Sequence, residues 1–347
     1  MGKAPRDESV KPHGWIILDK PLELGSTQAV GAVKRNLREA GLLGKGKNKL
    51  KVGHGGTLDP LATGVLPIAI GEATKLCGRM LDASKIYEFT IAFGSETETL
   101  DVEGEVTETS DHRPTLAEVE AVLSQFIGPI EQIPPKYSAL KIDGKRAYDL
   151  ARAGVDVEMK MRAVTIFSLA ISSLERSNGQ GDRSGAVMEG LAGSNTGPPV
   201  ASHREEIQEV TLASNVSKGT YIRSLARDIA RALHTVGHVT MLRRTKAGPF
   251  TLNQAISLDK LNEIGKGADI KDYLLPLEAG LDDIPAFDLT PDQARMLRQG
   301  LTLDEQDLIG NPVINGLFLA TENVGSPVAL AELVDGTIKV VRGFNME

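Results

Sequence analysis

The sequence is poor in the residues that build disulfides, metal–thiolate clusters and membrane spans. It contains a single cysteine, Cys77, among 347 residues, which excludes an internal disulfide and a cluster of thiolate ligands. The apolar run from Val65 to Ile70 is far too short to cross a bilayer. Residues 1–14 lack the apolar segment of a secretory signal. We therefore expect a globular protein of a reducing compartment, the cytoplasm.

The motifs of common cofactor and metal sites are incomplete. The segment 41–48 resembles a phosphate-binding loop, but Asn48 stands where Ser or Thr is needed to bind magnesium. His234 and His238 are four residues apart, but Thr235 replaces the glutamate that follows the first histidine in zinc proteases. The nucleophile motif of serine hydrolases, G-x-S-x-G, is absent. We therefore expect no cofactor and no metal, so that any chemistry comes from ordinary side chains.

The net charge of −7 argues against nucleic acid as a partner, but the distribution of charge does not. Residues 34–51, 136–152 and 217–246 carry net charges of +6, +3 and +6, so the rest of the chain is strongly acidic. Such segregation is typical of a polyanion-binding face on an acidic body. The alternative is that each window is solvated surface. Three windows, each beside a motif marked by glycine or proline, favour phosphate contacts.

Helix and strand signals are mixed along the chain and do not alternate strictly, which indicates an α+β fold. Residues 14–19 have the pattern of a buried strand. Residues 115–128 begin with a capping box and predict a helix that ends at Gly128. A shorter helix is predicted over 144–154, and an amphipathic helix over 220–233.

Composition also suggests how the chain divides into domains. We predict a flexible N-terminus over residues 1–12 and a catalytic domain over 13–255. Residues 175–206 are rich in Gly, Ser, Asn and Pro, which predicts a flexible insert within that domain. After a helix with its own capping box, short strand-like runs predict a small β-rich domain over 276–347.

The segment Gly53–Asp59 is the strongest candidate for a functional loop. It holds His54, three glycines and Asp59 immediately before a proline. Glycine allows tight turns and close approach to a ligand at an entropic cost. A carboxylate can act as a nucleophile without a cofactor, provided that a nearby cation keeps it ionised. Arg223 could be that cation. The alternative is that Asp59 caps a turn and Arg223 is exposed to solvent.

Six segments, which are spread over most of the range 13–255, form an ordered series. They are "ILDKPLELGSTQAVGAVKR", "GHGGTLDPLATGVLPIAIGEATK", "SKIYEFTIAFGSETETLDVEGEV", "PPKYSALKIDGKRAYDLARAG", "VSKGTYIRSLARDIARAL" and "GHVTMLRRTKAGPF". The series resembles the motifs of the TruB family of tRNA pseudouridine synthases, in the order of that family. The resemblance implies isomerisation of uridine 55 in the tRNA T loop, without a cofactor.

This resemblance also implies a fold and three catalytic residues. The expected fold is an α+β catalytic domain of the pseudouridine-synthase type, with a mixed, largely antiparallel sheet and a small C-terminal PUA-like domain that binds RNA. Asp59 would be the nucleophile and Arg223 its partner. Tyr87 would stack on the flipped-out uracil and help to remove a proton. Whether Asp59 attacks C1′ of the sugar or C6 of the base stays open.

Four further residues take roles by the same resemblance. His54 would hold the flipped-out form of the RNA loop, Tyr221 and Leu242 would line the base pocket, and Lys20 would support the active-site loop. As individual residues they have ordinary alternatives, because Tyr87 and Leu242 could belong to the core and His54 could bind backbone groups of its loop. Two motif positions depart from the family pattern, with Glu23 in place of glycine and Glu98 in place of aspartate.

The resemblance leaves alternatives for partners. The expected partner is tRNA, bound by a monomer with no obligatory protein partner and no membrane. A guide-RNA-dependent, dyskerin-like synthase shares the central motif and works inside a ribonucleoprotein. A protein that folds RNA without catalysis is the third possibility, and the presence of Asp59, Tyr87 and Arg223 argues against it.

Overall fold

The computed structural model describes residues 11–46, 49–138, 140–142, 144–155, 158–172, 205–304, 316–323 and 325–346. Residues 1–10 of the predicted N-terminal segment and 175–204 of the predicted insert lie outside the described residues, so both expectations stay predictions. No helix in the described part is long and apolar enough to span a bilayer. No group of three or more His, Cys, Asp or Glu side chains among these residues is placed to hold a metal ion.

The strands of the described residues are numbered in chain order. They are β1 (Gly14–Lys20), β2 (Val52–His54), β3 (Ala62–Ile70), β4 (Lys85–Phe93), β5 (Ser95–Thr97), β6 (Val106–Thr109), β7 (Gly128–Gln132), β8 (Lys141–Ile142), β9 (Lys145–Arg146), β10 (Arg162–Ile171), β11 (Glu209–Val216), β12 (Gly237–Ala247), β13 (Phe250–Thr251), β14 (Ala286–Asp288), β15 (Leu303–Asp304), β16 (Gly316–Glu322), β17 (Ser326–Val334) and β18 (Thr337–Gly343).

The α-helices are numbered in the same way. They are α1 (Ser26–Glu39), α2 (Cys77–Asp82), α3 (Leu116–Leu123), α4 (Ala147–Arg152), α5 (Ile222–Ala232), α6 (Leu258–Lys266) and α7 (Pro291–Arg298). The described residues form two compact units. The first comprises those within 1–60, 65–81 and 247–347, and the second those within 61–64 and 82–246. The first unit therefore draws on both ends of the chain.

The core of the first unit is built around Trp15 on β1. Its side chain is fully buried, its ring centroid lies 5.2 Å from that of Phe250, and its indole N–H donates to the carbonyl of Leu277 at 3.1 Å. Burial of so large an apolar ring is strongly stabilising when the polar N–H keeps a partner. Strand β3 pairs with both β1 and β2, and helix α1 packs on α6.

A second sheet in the first unit has the strand order β14-β16-β17-β18-β15. Helix α7 packs on it, and it begins with the predicted capping box of Thr290 and Gln293, with Pro291 at its first position. The rings of Phe287 and Phe318 meet edge to face beneath it, with centroids 5.1 Å apart. The β-rich character predicted for the end of the chain is confirmed.

The second unit is organised around a mixed sheet. The first residues of β3 run parallel to β12, with Ala62 opposite Leu242. Beyond β12 the order is β4-β11-β10-β7, and the pairs β11–β4, β10–β11 and β10–β7 are antiparallel. The mixed, largely antiparallel sheet expected from the sequence is confirmed.

Helices α3 and α5 cover one face of this sheet. Helix α5 buries Ile222, Leu225 and Ile229, which recur at helical spacing on the face predicted from the sequence. Strand β11 alternates buried and partly exposed side chains, as expected for a strand with one face on a core. Leu212 of β11 and Leu225 share a cluster in which both are fully buried.

Two predicted helix boundaries are wrong. The helix predicted over 115–128 ends at Leu123 and continues as a 3-10 turn, Ser124–Phe126. Gly128 has φ +100° and begins β7, so it opens a strand and does not end the helix. The helix predicted over 144–154 is only α4, because Gly144 has φ +83° and the next two residues form β9. Glycine is the residue that adopts positive φ at little cost.

Candidate active site

The glycines of the segment Gly53–Asp59 answer two separate steric demands. A Cβ on Gly55 would stand 2.6 Å from Cβ of Met80 on α2, so no larger residue fits without moving the helix. Gly56 has φ +139°, a conformation that residues with a Cβ rarely adopt. The segment is therefore packed tightly against its surroundings within the first unit. An ordinary surface turn would not need such close packing.

The backbone on both sides of Asp59 is anchored. The Ser26 hydroxyl, at the start of α1, accepts from the Leu58 N–H and contacts the Leu58 carbonyl, both at 2.8 Å. The carbonyl of Pro60 accepts from the Glu23 N–H at 2.9 Å. Asp59 itself is partly exposed. Its carboxylate is thus presented from a segment whose neighbours are fixed by hydrogen bonds.

Lys20 adds a third anchor at this position. Its side chain is fully buried, and its Nζ donates to the carbonyls of Pro21, Leu24 and Pro60 at 2.9, 2.7 and 3.2 Å. A buried ammonium is tolerated when carbonyl oxygens replace its hydration. Lys20 thereby ties the loop after β1 to the residue that follows Asp59. The predicted role of Lys20 in supporting the active-site loop stays a prediction.

His54 lies on β2, opposite Ile68 of β3, and its side chain is partly exposed. It belongs to the same unit as Asp59 and stands five residues before it. The structure therefore brings His54, Lys20 and Asp59 onto connected segments of the first unit.

Arg223, in the second unit, is held by three acceptors. It is the second residue of α5 and is 7% exposed. Its Nη1 donates to the Thr99 carbonyl at 2.8 Å and to Asp101 Oδ2 at 3.1 Å, and its Nη2 donates to the Tyr137 carbonyl at 3.0 Å. A buried ion pair of this kind costs about 3–5 kcal/mol to break by removing one partner.

Asp101 was missed by the sequence reasoning. Its Oδ1 accepts from the Glu103 N–H at 3.1 Å and from the Thr99 hydroxyl, while its Oδ2 faces Arg223. Between Thr99 and Asp101, Leu100 is buried with φ +61°, a strained conformation for a leucine. This turn aims both the Thr99 carbonyl and the Asp101 carboxylate at Arg223. Asp101 is one of 46 acidic residues, and neither composition nor spacing distinguishes it from the others.

The other three predicted residues also lie in the second unit. Tyr87 on β4 stands opposite Ser214, and Tyr87 and Leu242 are partly buried against the core cluster of Phe89 and Leu225. Tyr221 immediately precedes α5, and its N–H donates to Gln132 Oε1 at 3.1 Å. Tyr221 therefore lies two residues before Arg223 in the chain. The predicted pairing of Asp59 with Arg223 stays a prediction.

Two buried cations border this group. Arg244 is 1% exposed and Lys85 is 7% exposed. A Cβ on Gly64, which has φ +101°, would stand 2.2 Å from the Arg244 carbonyl oxygen, so the two backbones touch. Burial, followed by the charge of Arg244, lowers the pKa of Lys85 to about 8. The sequence did not signal either burial.

Comparison with known proteins identifies the family. Residues 44–184 match the model of the TruB family pseudouridylate synthase N-terminal domain, and residues 223–282 match that of the tRNA pseudouridylate synthase B C-terminal domain. The chain is 59% identical over 335 residues to tRNA pseudouridine synthase B of Novosphingobium aromaticivorans, covering 96% of this chain and 98% of that protein. It is 53% identical to the protein of the same name from Zymomonas mobilis, covering 96% of each.

A third relative, tRNA pseudouridine synthase B of Rhodospirillum rubrum, is 42% identical over the full length of both chains. The fold is that of a pseudouridine synthase. The chain belongs to the TruB family of pseudouridylate synthases, as the sequence motifs indicated.

Solved structures show the same fold at low sequence identity. A chain of an H/ACA RNP bound to a substrate RNA containing 2'-deoxyuridine superposes with a TM-score of 0.63, at 22% identity, over 96% of this chain and 85% of that chain. A chain of a Cbf5-Nop10-Gar1 complex also gives a TM-score of 0.63, at 23% identity, over 96% and 84%.

Proposed function

We propose that the chain isomerises uridine 55 in the T loop of tRNA to pseudouridine. In this reaction the bond between N1 of uracil and C1′ of ribose breaks, the base rotates, and C5 bonds to C1′. The proton on C5 leaves and N1 gains one, so the product is an isomer and no oxidant or other co-reactant is needed. Ordinary side chains suffice for this chemistry, since it needs one nucleophile and one proton acceptor.

Asp59 is the proposed nucleophile. The observation that carries this proposal is the anchoring of Leu58 and Pro60 on either side of it by Ser26, Glu23 and Lys20. Holding a reacting group in place before the substrate arrives removes much of the entropic cost of reaction. The restricted glycines before Asp59 serve the same end.

Arg223 is proposed to act with Asp59 as its cationic partner. Two carbonyl groups and the Asp101 carboxylate already fix its guanidinium. A cation oriented in this way would keep a neighbouring carboxylate ionised and hence nucleophilic. Asp101 balances the charge of Arg223, and it keeps the guanidinium plane from rotating.

The target base would leave its stack to reach Asp59. An unpaired base outside the stack is stabilised by an aromatic face and an apolar wall. We propose Tyr87 for the stacking face and for help in proton removal, and Tyr221 and Leu242 for the pocket wall. His54 would hold the opened RNA loop. The partial exposure of Tyr87, Tyr221 and Leu242 leaves surface available for this contact.

The substrate and partners belong to the same proposal. The relatives named above are tRNA pseudouridine synthases, which favours tRNA as the substrate. We propose that the chain binds tRNA as a monomer in the cytoplasm, without a guide RNA. We propose that the β-rich sheet of β14 to β18 acts as a PUA-like RNA-binding module. The separate catalytic domain over 13–255 and module over 276–347 stay predictions.

The proposal is tested by mapping pseudouridine after incubating the purified protein with an unmodified tRNA transcript. We expect pseudouridine at position 55 and at no other uridine. A matched transcript with cytidine at that position should remain unmodified. Modification that needs a guide RNA and added proteins would support the dyskerin-like alternative. Faster tRNA folding with no pseudouridine at all would support a folding role and contradict the proposed reaction.

A further inference from the structure

Glu98 and Tyr137 join two segments of the second unit that are far apart in the chain. The Tyr137 hydroxyl donates to Glu98 Oε1 at 2.6 Å. Glu98 follows β5 directly, and Tyr137 lies between β7 and β8. The Glu98 carboxylate raises the pKa of the Tyr137 hydroxyl by accepting its hydrogen bond, so the phenol stays a donor.

Both residues are connected to Arg223 as well. The Tyr137 carbonyl accepts from Arg223 Nη2 at 3.0 Å, and the carbonyl of Thr99, the neighbour of Glu98, accepts from Nη1 at 2.8 Å. Arg223, Thr99, Glu98 and Tyr137 therefore form a closed ring of contacts. Breaking the Glu98–Tyr137 bond would remove the direct link between the Tyr137 segment and the segment that carries Thr99, so that within this ring only Arg223 would join them.

Helix α4 steadies the other side of Tyr137. The Tyr148 N–H donates to the Ser138 carbonyl at 3.0 Å, and the rings of Tyr137 and Tyr148 meet edge to face with centroids 6.2 Å apart. The guanidinium of Arg152 lies over the Tyr148 ring, 4.4 Å from its centroid. Tyr137 is thus the point at which α4, Glu98 and Arg223 meet.

We propose that Glu98 and Tyr137 are positioning residues, which act through the Tyr137 carbonyl to hold the Arg223 guanidinium in its catalytic orientation. The inference rests on the proposed function, since it needs Arg223 to take part in the reaction. In this proposal neither residue touches the reacting atoms. Glu98 is exposed and Tyr137 is partly exposed, so substitution should leave the fold intact.

Single-turnover and steady-state kinetics on tRNA test this inference. Tyr137→Phe removes the hydroxyl and keeps the ring and the carbonyl, and Glu98→Ala removes the carboxylate. We expect each to lower kcat about tenfold, as a small misplacement of a catalytic group does, with KM within about twofold. The double variant should also lose about tenfold, because both changes break one bond and their effects do not add.

The matched control is Tyr273→Phe. Its hydroxyl donates to Glu263 Oε2 at 2.8 Å in the first unit, so the same bond type is removed away from Arg223, and kcat should not change. A normal kcat in Tyr137→Phe or Glu98→Ala would overturn the inference. So would a change in KM alone, or a double loss equal to the product of the single losses. An inactive unmodified protein would overturn the proposed function and with it this inference.

Discussion

At the scale of single residues, Arg223 shows how one side chain is set by its surroundings. Its position near the start of α5 opposes the helix dipole, at a cost of about 0.3–1 kcal/mol. The carboxylate of Asp101 and two carbonyl groups offset that cost. Sequence analysis proposed Arg223 as a candidate cation and, by resemblance, as the partner of Asp59. It missed Asp101, whose role exists only in three dimensions.

Replacing Asp101 by asparagine should destabilise the protein and slow turnover. The amide keeps the shape but leaves Arg223 buried without its counter-charge. We expect a loss of about 3–5 kcal/mol in the free energy of unfolding, measured by urea denaturation, and a fall in kcat of at least about tenfold. The control is Asp228→Asn, whose partly exposed pair with Arg227 should contribute less than about 1 kcal/mol. Equal losses in both variants would refute a special role for Asp101.

Lys85 gives a pH dependence with a defined sign. Its pKa is about 8 in the folded protein against an ordinary value of 10.5, so between these values the unfolded chain binds more protons. The charged form of Lys85 therefore lowers the free energy of unfolding below pH 8, and this destabilisation decreases as the pH rises towards 10.5. The Lys85→Met variant should have a higher free energy of unfolding than the unmodified protein at pH 7, measured by urea denaturation. This difference should decrease between pH 8 and 10.5. A difference that stays constant across that range would contradict the assignment.

At the scale of elements, the sequence was informative where periodicity or capping residues act locally. The capping boxes of α3 and α7 and the buried face of α5 are confirmed. Gly128 and Gly144 were misread because a glycine signals positive φ but not which element adjoins it. Only some of the anchors around Asp59 could be predicted. The family resemblance pointed to Lys20, but the contact of Ser26 with Leu58 depends on how α1 packs, which no local sequence pattern predicts.

The loop after β1 offers a test at this scale. Glu23 has φ +65°, which costs about 1–2 kcal/mol for a residue with a Cβ. The departure from glycine at Glu23 therefore places a residue with a Cβ in a strained backbone conformation. Glu23→Gly should raise the free energy of unfolding by about 1 kcal/mol, after the entropy of glycine in the unfolded chain is subtracted.

The control for Glu23 is Glu120→Gly, at an exposed position inside α3, which should lower stability by about 1 kcal/mol. Opposite signs for the two substitutions, measured by thermal and urea denaturation, are the expected result. A loss of stability in both would show that the Glu23 side chain contributes more than its backbone strain costs.

At the scale of the whole molecule, a chain of net charge −7 must bind an RNA polyanion. Lys45, Lys49 and Lys51 are exposed members of the first basic window. Reversing all three to glutamate should weaken tRNA binding. The slope of log affinity against log salt should fall by up to about 0.7–0.9 for each phosphate that the variant no longer neutralises.

A charge-matched control is the reversal of Lys160, Lys266 and Lys271, exposed lysines outside the three windows and outside the sheet of β14 to β18. It should change that slope little, although it alters the net charge by the same amount. Equal slopes for the two triple variants, measured across a salt series, would show that the basic windows are ordinary solvated surface.

The central claim is that Asp59 performs the chemistry, and the paired measurement of turnover and binding in Asp59→Asn tests it most directly. The amide keeps the shape but is not nucleophilic, while affinity depends on distributed phosphate contacts. We predict no detectable pseudouridine and a Kd for tRNA within about threefold of the unmodified protein. Asp82→Asn, at an exposed carboxylate paired with Lys218, should retain full turnover. Appreciable pseudouridine formation by a verified Asp59→Asn sample would contradict the account.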